Sequence, residues 1–446
     1  MSAGSFIKRN AYWFNDWRRG GVVRRGFDDL ARVMGDYETG RATRDARLRD
    51  MLSYAAANTA FYADYADRVD DLSQWPVLTK LDFIERYDDH RVAEGAIPDQ
   101  GGRPVYLQKT GGSTGVPFSV PQDYLKRQRR ISEIKWFNEL NGFRSHEKLC
   151  HCRVWTQWQN KSRWQTFKEN IYAFNVEHMG PETIERLIDL IERERIEVLR
   201  GYASWHRTLV EYFADGHGDP KRLSTLKLVI SESDTLDERT RTLMEQYVGC
   251  PIIDSYGNEE NGTFGYQTVG SRDYVMNHAG YVFEVLDFDT NEPVANGQMG
   301  KLVVTDLFNH AFPMIRYDTG DACVFEGGEG EWPVMGKLFG RRLDIIYDVA
   351  GNPVQPMAFS RVLKNFPSIT QWQFVQKGRA DYVARLCLRD EGETEKIVGA
   401  LVSIVGEGAR MGIERVDDIP VLRSGKKKPV VQEWDRSADD EPRADG

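Results

Sequence analysis

The chain has 446 residues, 41% hydrophobic and 28% charged, with a net charge of −9. That length exceeds one ordinary hydrophobic core and predicts at least two domains. The acidic balance argues against nucleic-acid binding, which needs a basic stripe, and no apolar run approaches the ~20 residues of a membrane span.

Met1 to Arg19 is basic and aromatic but lacks the continuous apolar stretch of a secretory signal. It reads as a helix packed on its own domain, with membrane contact at most peripheral. The five scattered cysteines suit a reducing compartment, and the expected location is cytoplasmic. Phe27 to Arg86 is polar and helical in pattern, so residues 1–100 form a mainly helical leader. A Gly/Pro-rich loop, Pro98 to Pro104, precedes a strand-like run, Pro104 to Gln108. A helix follows over Asp123 to Leu140, with Ile131, Ile134, Phe137 and Leu140 on one face and Asn141-Gly142 as its stop.

Cys150-His151-Cys152 alternates as a strand does, with the cysteines on one face and the histidine on the other; no second ligand pair makes it a zinc site. Glu182 to Arg195 is a helix with Ile184, Leu187, Ile188 and Ile191 at helical spacing. Leu226 to Ser231 and Pro251 to Asp254 are strands, and Thr235 with Glu238 reads as the capping box of a helix reaching Val248. This alternation predicts a largely parallel sheet covered on both faces. From Tyr274 to Thr305 strand follows strand, which predicts an antiparallel, barrel-like subregion. After Gly340 come two strands around Gly351-Asn352, a helix over Met357 to Asn365, strands at Gln371 to Gln376 and Tyr382 to Leu388, a helix over Thr394 to Gly406 and a strand near Val416. The predicted fold is therefore α/β: a large domain over 1–339 and a small α+β domain over 340–446.

Five segments carry candidate chemistry. Thr110-Gly111-Gly112-Ser113-Thr114-Gly115-Val116-Pro117 combines close glycines with hydroxyls, so its backbone and side chains can donate to phosphate. It lacks the Gly-Lys-Ser/Thr ending of a P-loop, and a surface turn is the plain alternative. Asp254-Ser255-Tyr256-Gly257-Asn258-Glu259-Glu260 follows a strand, where α/β sheets place ligands; an aromatic there can stack on a base and a carboxylate can hold Mg²⁺. Its alternative is a polar loop with a core tyrosine. Arg316 to Asp321 is a turn whose aspartate can accept two ribose hydroxyls. Gly340-Arg341-Arg342-Leu343-Asp344 marks the break in pattern. Ser424 to Lys428 is a lysine run, by itself a solvated face.

The order and approximate spacing of these five motifs, from about Leu107 to Lys428, resemble the adenylate-forming superfamily of acyl-CoA synthetases, adenylation domains and luciferases. The match is closest to the phenylacetate-CoA ligase-like branch, including CapK-like proteins. The resemblance implies that Thr110 to Gly115 hold the outer phosphates of ATP, that the backbone of Ser231 to Asp234, with Ser233 and Asp234, lines adenine, and that Tyr256, next to Gly257, stacks on it. Glu260 is implied as the Mg²⁺ ligand, Asp321 as the ribose aspartate with Arg341 beside it, and Lys426 as the catalytic lysine, with Lys428 as the alternative register. The segment with Tyr202 and Trp205 resembles the acyl-pocket lining; with Trp155, Trp158 and Trp164 nearby, either a flat aromatic acid or core packing explains the aromatics.

The implied activity is formation of acyl-AMP from a carboxylic acid with pyrophosphate release, then transfer to CoA. The alternatives are transfer to an amine or hydroxyl and an inactive nucleotide-binding scaffold. The resemblance also makes the small domain mobile. Leu343, with Asp344 next, departs from the family's Asp or Lys at the hinge. Tyr266 to Ala279 contains only His278 of the Cys/His set some relatives carry, so no zinc is expected.

Overall fold

In the computed structural model, eleven strands form one sheet, with five parallel strands at one end and antiparallel pairing beyond them. The structure describes residues 2–109, 118–154, 162–176, 180–233, 236–341, 346–351, 353–354, 356–363, 365–389, 392–419 and 430–434. These fall into two bodies. The larger holds the described residues up to 319 and those from 324 to 337; the smaller holds 320–323 and those from 338 onward.

The larger body begins with a helical leader: α1 (Ala3–Arg18), α2 (Val22–Gly35), α3 (Tyr37–Asn58), α4 (Lys80–Glu85) and α5 (Tyr87–His90). A ribbon of β1 (Tyr106–Lys109) and β2 (Ser119–Gln122) leads into α6 (Tyr124–Leu140), whose N-cap Asp123 accepts from the Lys126 amide. Alternating elements follow: β3 (Leu149–Arg153), α7 (Arg163–Glu169), β4 (Ile171–Asn175), α8 (Pro181–Glu194), β5 (Val198–Tyr202), α9 (Ala203–Ala214), β6 (Leu228–Glu232), α10 (Glu238–Leu243) and β7 (Ile252–Asn258). The antiparallel run is β8 (Gly262–Gln267), β9 (Tyr274–Met276), β10 (Tyr281–Leu286), β11 (Met299–Asp306), β12 (Tyr317–Glu326) and β13 (Val334–Arg341). The sheet order is β10-β11-β12-β13-β9-β8-β7-β6-β5-β3-β4, with β4, β3, β5, β6 and β7 parallel and β7 to β8 the first antiparallel step.

Helix α8 is built as its period demands. Pro181 opens it, Ile184, Leu187, Ile188 and Ile191 are buried, and they pack with Leu199 and Val229 of the sheet. Each such side chain contributes roughly 1.5–3 kcal/mol by leaving water.

Helix α6 does the reverse. Ile131, Ile134 and Leu140 are exposed, while Lys126, Arg129, Ser132 and Glu133 are buried beside Phe137. The stripe over 131–140 therefore is not the core face the spacing predicts. The buried face is held by charge: Lys126 Nζ lies 2.5 Å from Asp306 Oδ2 on β11 and donates to Tyr281 Oη at 3.1 Å, and Arg129 reaches Asp29 of α2 at 2.6 Å. Helices α2 and α6 cross closely, since a Cβ on Gly26 would meet Ser132 Oγ at 2.5 Å.

Two local expectations are also corrected. The cap of α10 is Asp237, accepting from Thr240, rather than a Thr235 box; Asp237 offers the carboxylate nearest the first free amides, and Thr235 lies outside the described residues. Helix α10 then continues as a π-turn over Met244–Val248. The N-terminal helix α1 packs on its own domain, but through its polar side. As expected of β3, Cys150 and Cys152 are buried on one face and His151 lies on the other.

The smaller body contains β14 (Ile346–Tyr347), β15 (Pro353–Val354), α11 (Pro356–Leu363), β16 (Ile369–Gly378), β17 (Asp381–Leu388), α12 (Thr394–Val405), β18 (Arg410–Arg415) and β19 (Val430–Gln432). Its four-stranded sheet, β18-β17-β16-β19, packs Phe374, Tyr382 and Leu386 against Ile397 and Leu401 of α12. The protein is mixed α/β.

Candidate active site

A cleft of ≈ 1160 Å³ opens in the larger body over the C-terminal ends of β3, β5, β6 and β7. Parallel strand ends carry free backbone groups and loops, which is why α/β sheets bind ligands there. Two of the predicted segments reach it from adjacent strands. Ser233 follows β6 directly and holds φ 74°, a left-handed conformation that costs a residue with a side chain. Tyr256 and Gly257 stand on β7 and line the same cleft. The Tyr256 ring is set by Phe264 at 5.6 Å and Tyr274 at 6.3 Å. Gly257 is demanded by the β7–β8 hairpin: a Cβ there would lie 2.2 Å from the Gly262 carbonyl oxygen.

The floor of the cleft is polar. His151, Arg200 and Glu232 project from neighbouring strands, with His151 opposite Arg200 in the register. Glu232 joins the other two: Arg200 Nε donates to Oε2 at 2.6 Å, and His151 Nε2 lies 2.8 Å from Oε1. Burial alone would raise the Glu232 carboxyl, but Arg200 and His151 outweigh it and hold it well below the usual carboxylate range. Burial disfavours charge on Arg200 too, yet Tyr266 and Glu232 keep it cationic. Beneath them, burial raises Asp254 to about 6 despite a 2.6 Å hydrogen bond donated by Tyr274 Oη.

Glu260 is buried in the turn between β7 and β8, with Oε1 3.5 Å from Lys80 Nζ of α4. Gln108 of β1 donates to Glu259 Oε2 at 2.6 Å, and Gln122 of β2 donates to the Glu260 carbonyl at 3.0 Å. Both strands that flank segment 110–117 are thus tied to this turn. Among the described residues no three His, Cys, Asp or Glu side chains cluster as a metal set. A Mg²⁺ site needs no such cluster, because Mg²⁺ keeps several waters and takes one or two carboxylates plus phosphate oxygens.

Of the other predicted residues, Tyr202 lines the cleft. Trp205 does not: it is fully buried in the core under α9, 6.4 Å from the Phe174 ring, and the pocket assignment is corrected to core packing. Of the two explanations the sequence left open, core packing holds for Trp205, because helix α9 begins at Ala203 and turns that position inward. Trp164 of α7 lines the cleft and is exposed. Asp321 stands half-buried in β12, where burial and its charge raise the Cys323 thiol. Arg341 ends β13, its side chain undescribed. Thr110 to Gly115, Asp234, Leu343, Asp344, Lys426, Lys428, Trp155 and Trp158 lie outside the described residues. His278 is a core residue: Nε2 donates to the Pro333 carbonyl at 2.7 Å, its ring stacks on Trp332, and burial lowers its pKa to about 3.

Sequence reading missed Lys80 and the His151–Glu232–Arg200 floor. The signal for the floor was present: these strands are buried on both faces, and a polar residue near the end of each is out of pattern. It also missed that Lys8, Tyr12 and Asn15 of α1 wall the cleft.

Residues 172–307, from β4 to just past β11, match the family described as AMP-binding enzyme. Protein CapK of Staphylococcus aureus is 22% identical over 416 residues, covering 87% of this chain and 88% of that protein. Phenylacetate-coenzyme A ligase of Thermus thermophilus is 25% identical over 358 residues, covering 74% and 76%. Among solved structures, 2-hydroxyisobutyryl-CoA ligase in its postadenylation state superposes with a TM-score of 0.70 at 16% identity over 92% of both chains, a likeness of fold. The chain thus matches the AMP-binding enzyme family across the cleft strands and is similar to CapK and phenylacetate-CoA ligase along most of its length.

Proposed function

We propose that the protein is an ATP-dependent ligase that joins a carboxylic acid to AMP, releases pyrophosphate and passes the acyl group to CoA. The observation that carries this reading is the meeting of Ser233 and Tyr256-Gly257 on one cleft at parallel strand ends. It supports seating adenine against Tyr256 and the Ser233 backbone. The ties from Gln108 and Gln122 to the Glu259–Glu260 turn support a role for Thr110 to Gly115 and Glu260 at the outer phosphates and Mg²⁺. Asp321 and Arg341 are assigned to the ribose, and the domain over 340–446 to the lysine loop.

The chemistry brings two anions together, the acid carboxylate and the α-phosphate. Glu260 would hold a Mg²⁺ ion, which when bound would offset the phosphate charge. Lys426 meets the charge that builds as the α-phosphate is attacked, and a donor so placed is worth ~10²–10³ in rate. The acid is held beside Tyr202 over the polar floor, which suits a substrate with a polar group as well as a flat ring.

The test is ATP–pyrophosphate exchange across a panel of acids. Lys426→Ala should cut exchange at least ~10²-fold while ATP affinity and thermal unfolding change little. Unimpaired exchange would move the role to Lys428. Bound ATP without exchange for any acid would leave a nucleotide-binding scaffold. A second reading keeps the same adenylation and transfers the acyl group to an amine or hydroxyl. A thioester formed on adding CoA separates the two.

A further inference from the structure

Helix α1 turns its apolar side outward. Phe6, Ile7, Phe14 and Trp17 share one arc of the helix and are 53% to 70% exposed. The opposite side faces the body mainly through polar groups, with Tyr12 and Trp13 packed beside His146 and Phe27: Ser5 is buried, Arg9 pairs with Glu139 at 2.9 Å, and Asp16 accepts from the Val23 and Arg24 amides. A helix that merely covers its own domain has the opposite polarity.

Neighbouring α7 extends the apolar surface. Trp164 and Phe167 are 66% and 67% exposed. Lys8 Nζ lies 4.0 Å from the Phe167 ring and donates to Asn170, the C-cap of α7, so the two helices present one face. Contiguous exposed apolar surface of this kind marks an interaction site.

Charge identifies the partner. Residues 1–25 carry Lys8, Arg9, Arg18, Arg19, Arg24 and Arg25 against Asp16 alone, net +5 in a chain of net −9. Arg18, Arg19, Arg24 and Arg25 are all exposed. A second copy meeting this face across a two-fold axis would set the same positive charge against itself. We propose that the outer faces of α1 and α7 dock on an anionic lipid bilayer, with the apolar side chains at the headgroup–acyl boundary and the arginines among anionic headgroups. The inference is independent of the ligase reading. Because Trp164 and Phe167 line both this face and the cleft, docking would hold the cleft against the lipid surface.

The test is flotation of the full chain with vesicles of phosphatidylcholine mixed with phosphatidylglycerol, and with vesicles of phosphatidylcholine alone. The protein should float with the mixed vesicles, and less as salt rises. Phe14→Ser with Trp17→Ser should weaken partitioning at least ~10-fold, and Arg18→Glu with Arg24→Glu should abolish the preference for anionic lipid. Both pairs should stay folded, since the side chains are exposed and the Arg24 change loses a surface pair with Asp28. Absence of flotation by the unmodified protein would overturn the proposal, as would equal flotation of all three proteins. So would a dimer, seen by light scattering, that Phe14→Ser with Trp17→Ser dissolves, because the face would then join two copies.

Discussion

Helices α8 and α6 carry similar apolar stripes and use them oppositely. In α8, Ile184, Leu187, Ile188 and Ile191 face the sheet. In α6, Ile131 and Ile134 line the open cleft, while Lys126, Arg129 and Glu133 are buried. Periodicity reveals that a stripe exists, and its neighbours decide which way it faces. The sheet offers α8 an apolar partner in Leu199 and Val229. It offers α6 Asp306, Tyr281 and the leader's Asp29, which only a cationic face can satisfy. The leader repeats the pattern in α1. Charge holds the inner faces of α1 and α6, and their apolar stripes are left for the outer face and the cleft, whereas α3 and α4 join the body through the apolar cluster of Leu52, Phe83, Phe312 and Ile315.

The strongest test of this contrast is Lys126→Met. It leaves Asp306 buried beside no cation, and breaking such a pair costs about 3–5 kcal/mol. Urea unfolding should show that loss; a change below ~1 kcal/mol would mean the buried charges are incidental. Next comes Leu187→Ala on α8, where a cavity under a fully buried leucine should cost about 2–5 kcal/mol in the same assay.

A third test concerns Asp254, a buried carboxyl within the parallel half of the sheet. Burial raises its pKa from 3.8 to about 6, so the folded state favours the protonated form. The stability this gives is fully present below the unfolded pKa and is lost as pH rises through the folded one. Between those values the group should remove up to about 3 kcal/mol, and Asp254→Asn should flatten that part of the stability–pH curve. A curve of unchanged slope would show that Asp254 does not titrate there. The smallest effect belongs to Ile134→Ala. On the exposed stripe of α6 it should shift stability by no more than about 0.5 kcal/mol, and a loss like that of Leu187→Ala would erase the distinction between the two helices.

Much of the fold was legible in the chain. Helix α8, strand β3 with its two-faced Cys-His-Cys, the antiparallel run after Tyr274 and the α+β pattern after Gly340 follow from local period and turn residues. The cap of α10 was misplaced by two residues because several side chains there can cap, and the choice falls to whichever reaches a free amide. For Trp205 the sequence left cleft lining and core packing open, and its place in helix α9 decides for the core.

The sequence by itself determined which segments are helix or strand and the order of motifs that announces nucleotide chemistry, because both depend on neighbours along the chain. Tertiary structure alone brought Ser233 beside Tyr256, set Lys80 against Glu260 and gathered His151, Arg200 and Glu232 into one floor. It also decided that α1 and α6 show their apolar faces outward. The physical reason is common to all of these: burial and charge pairing are settled by groups distant in sequence, and a local pattern fixes the spacing of a face without fixing what it meets.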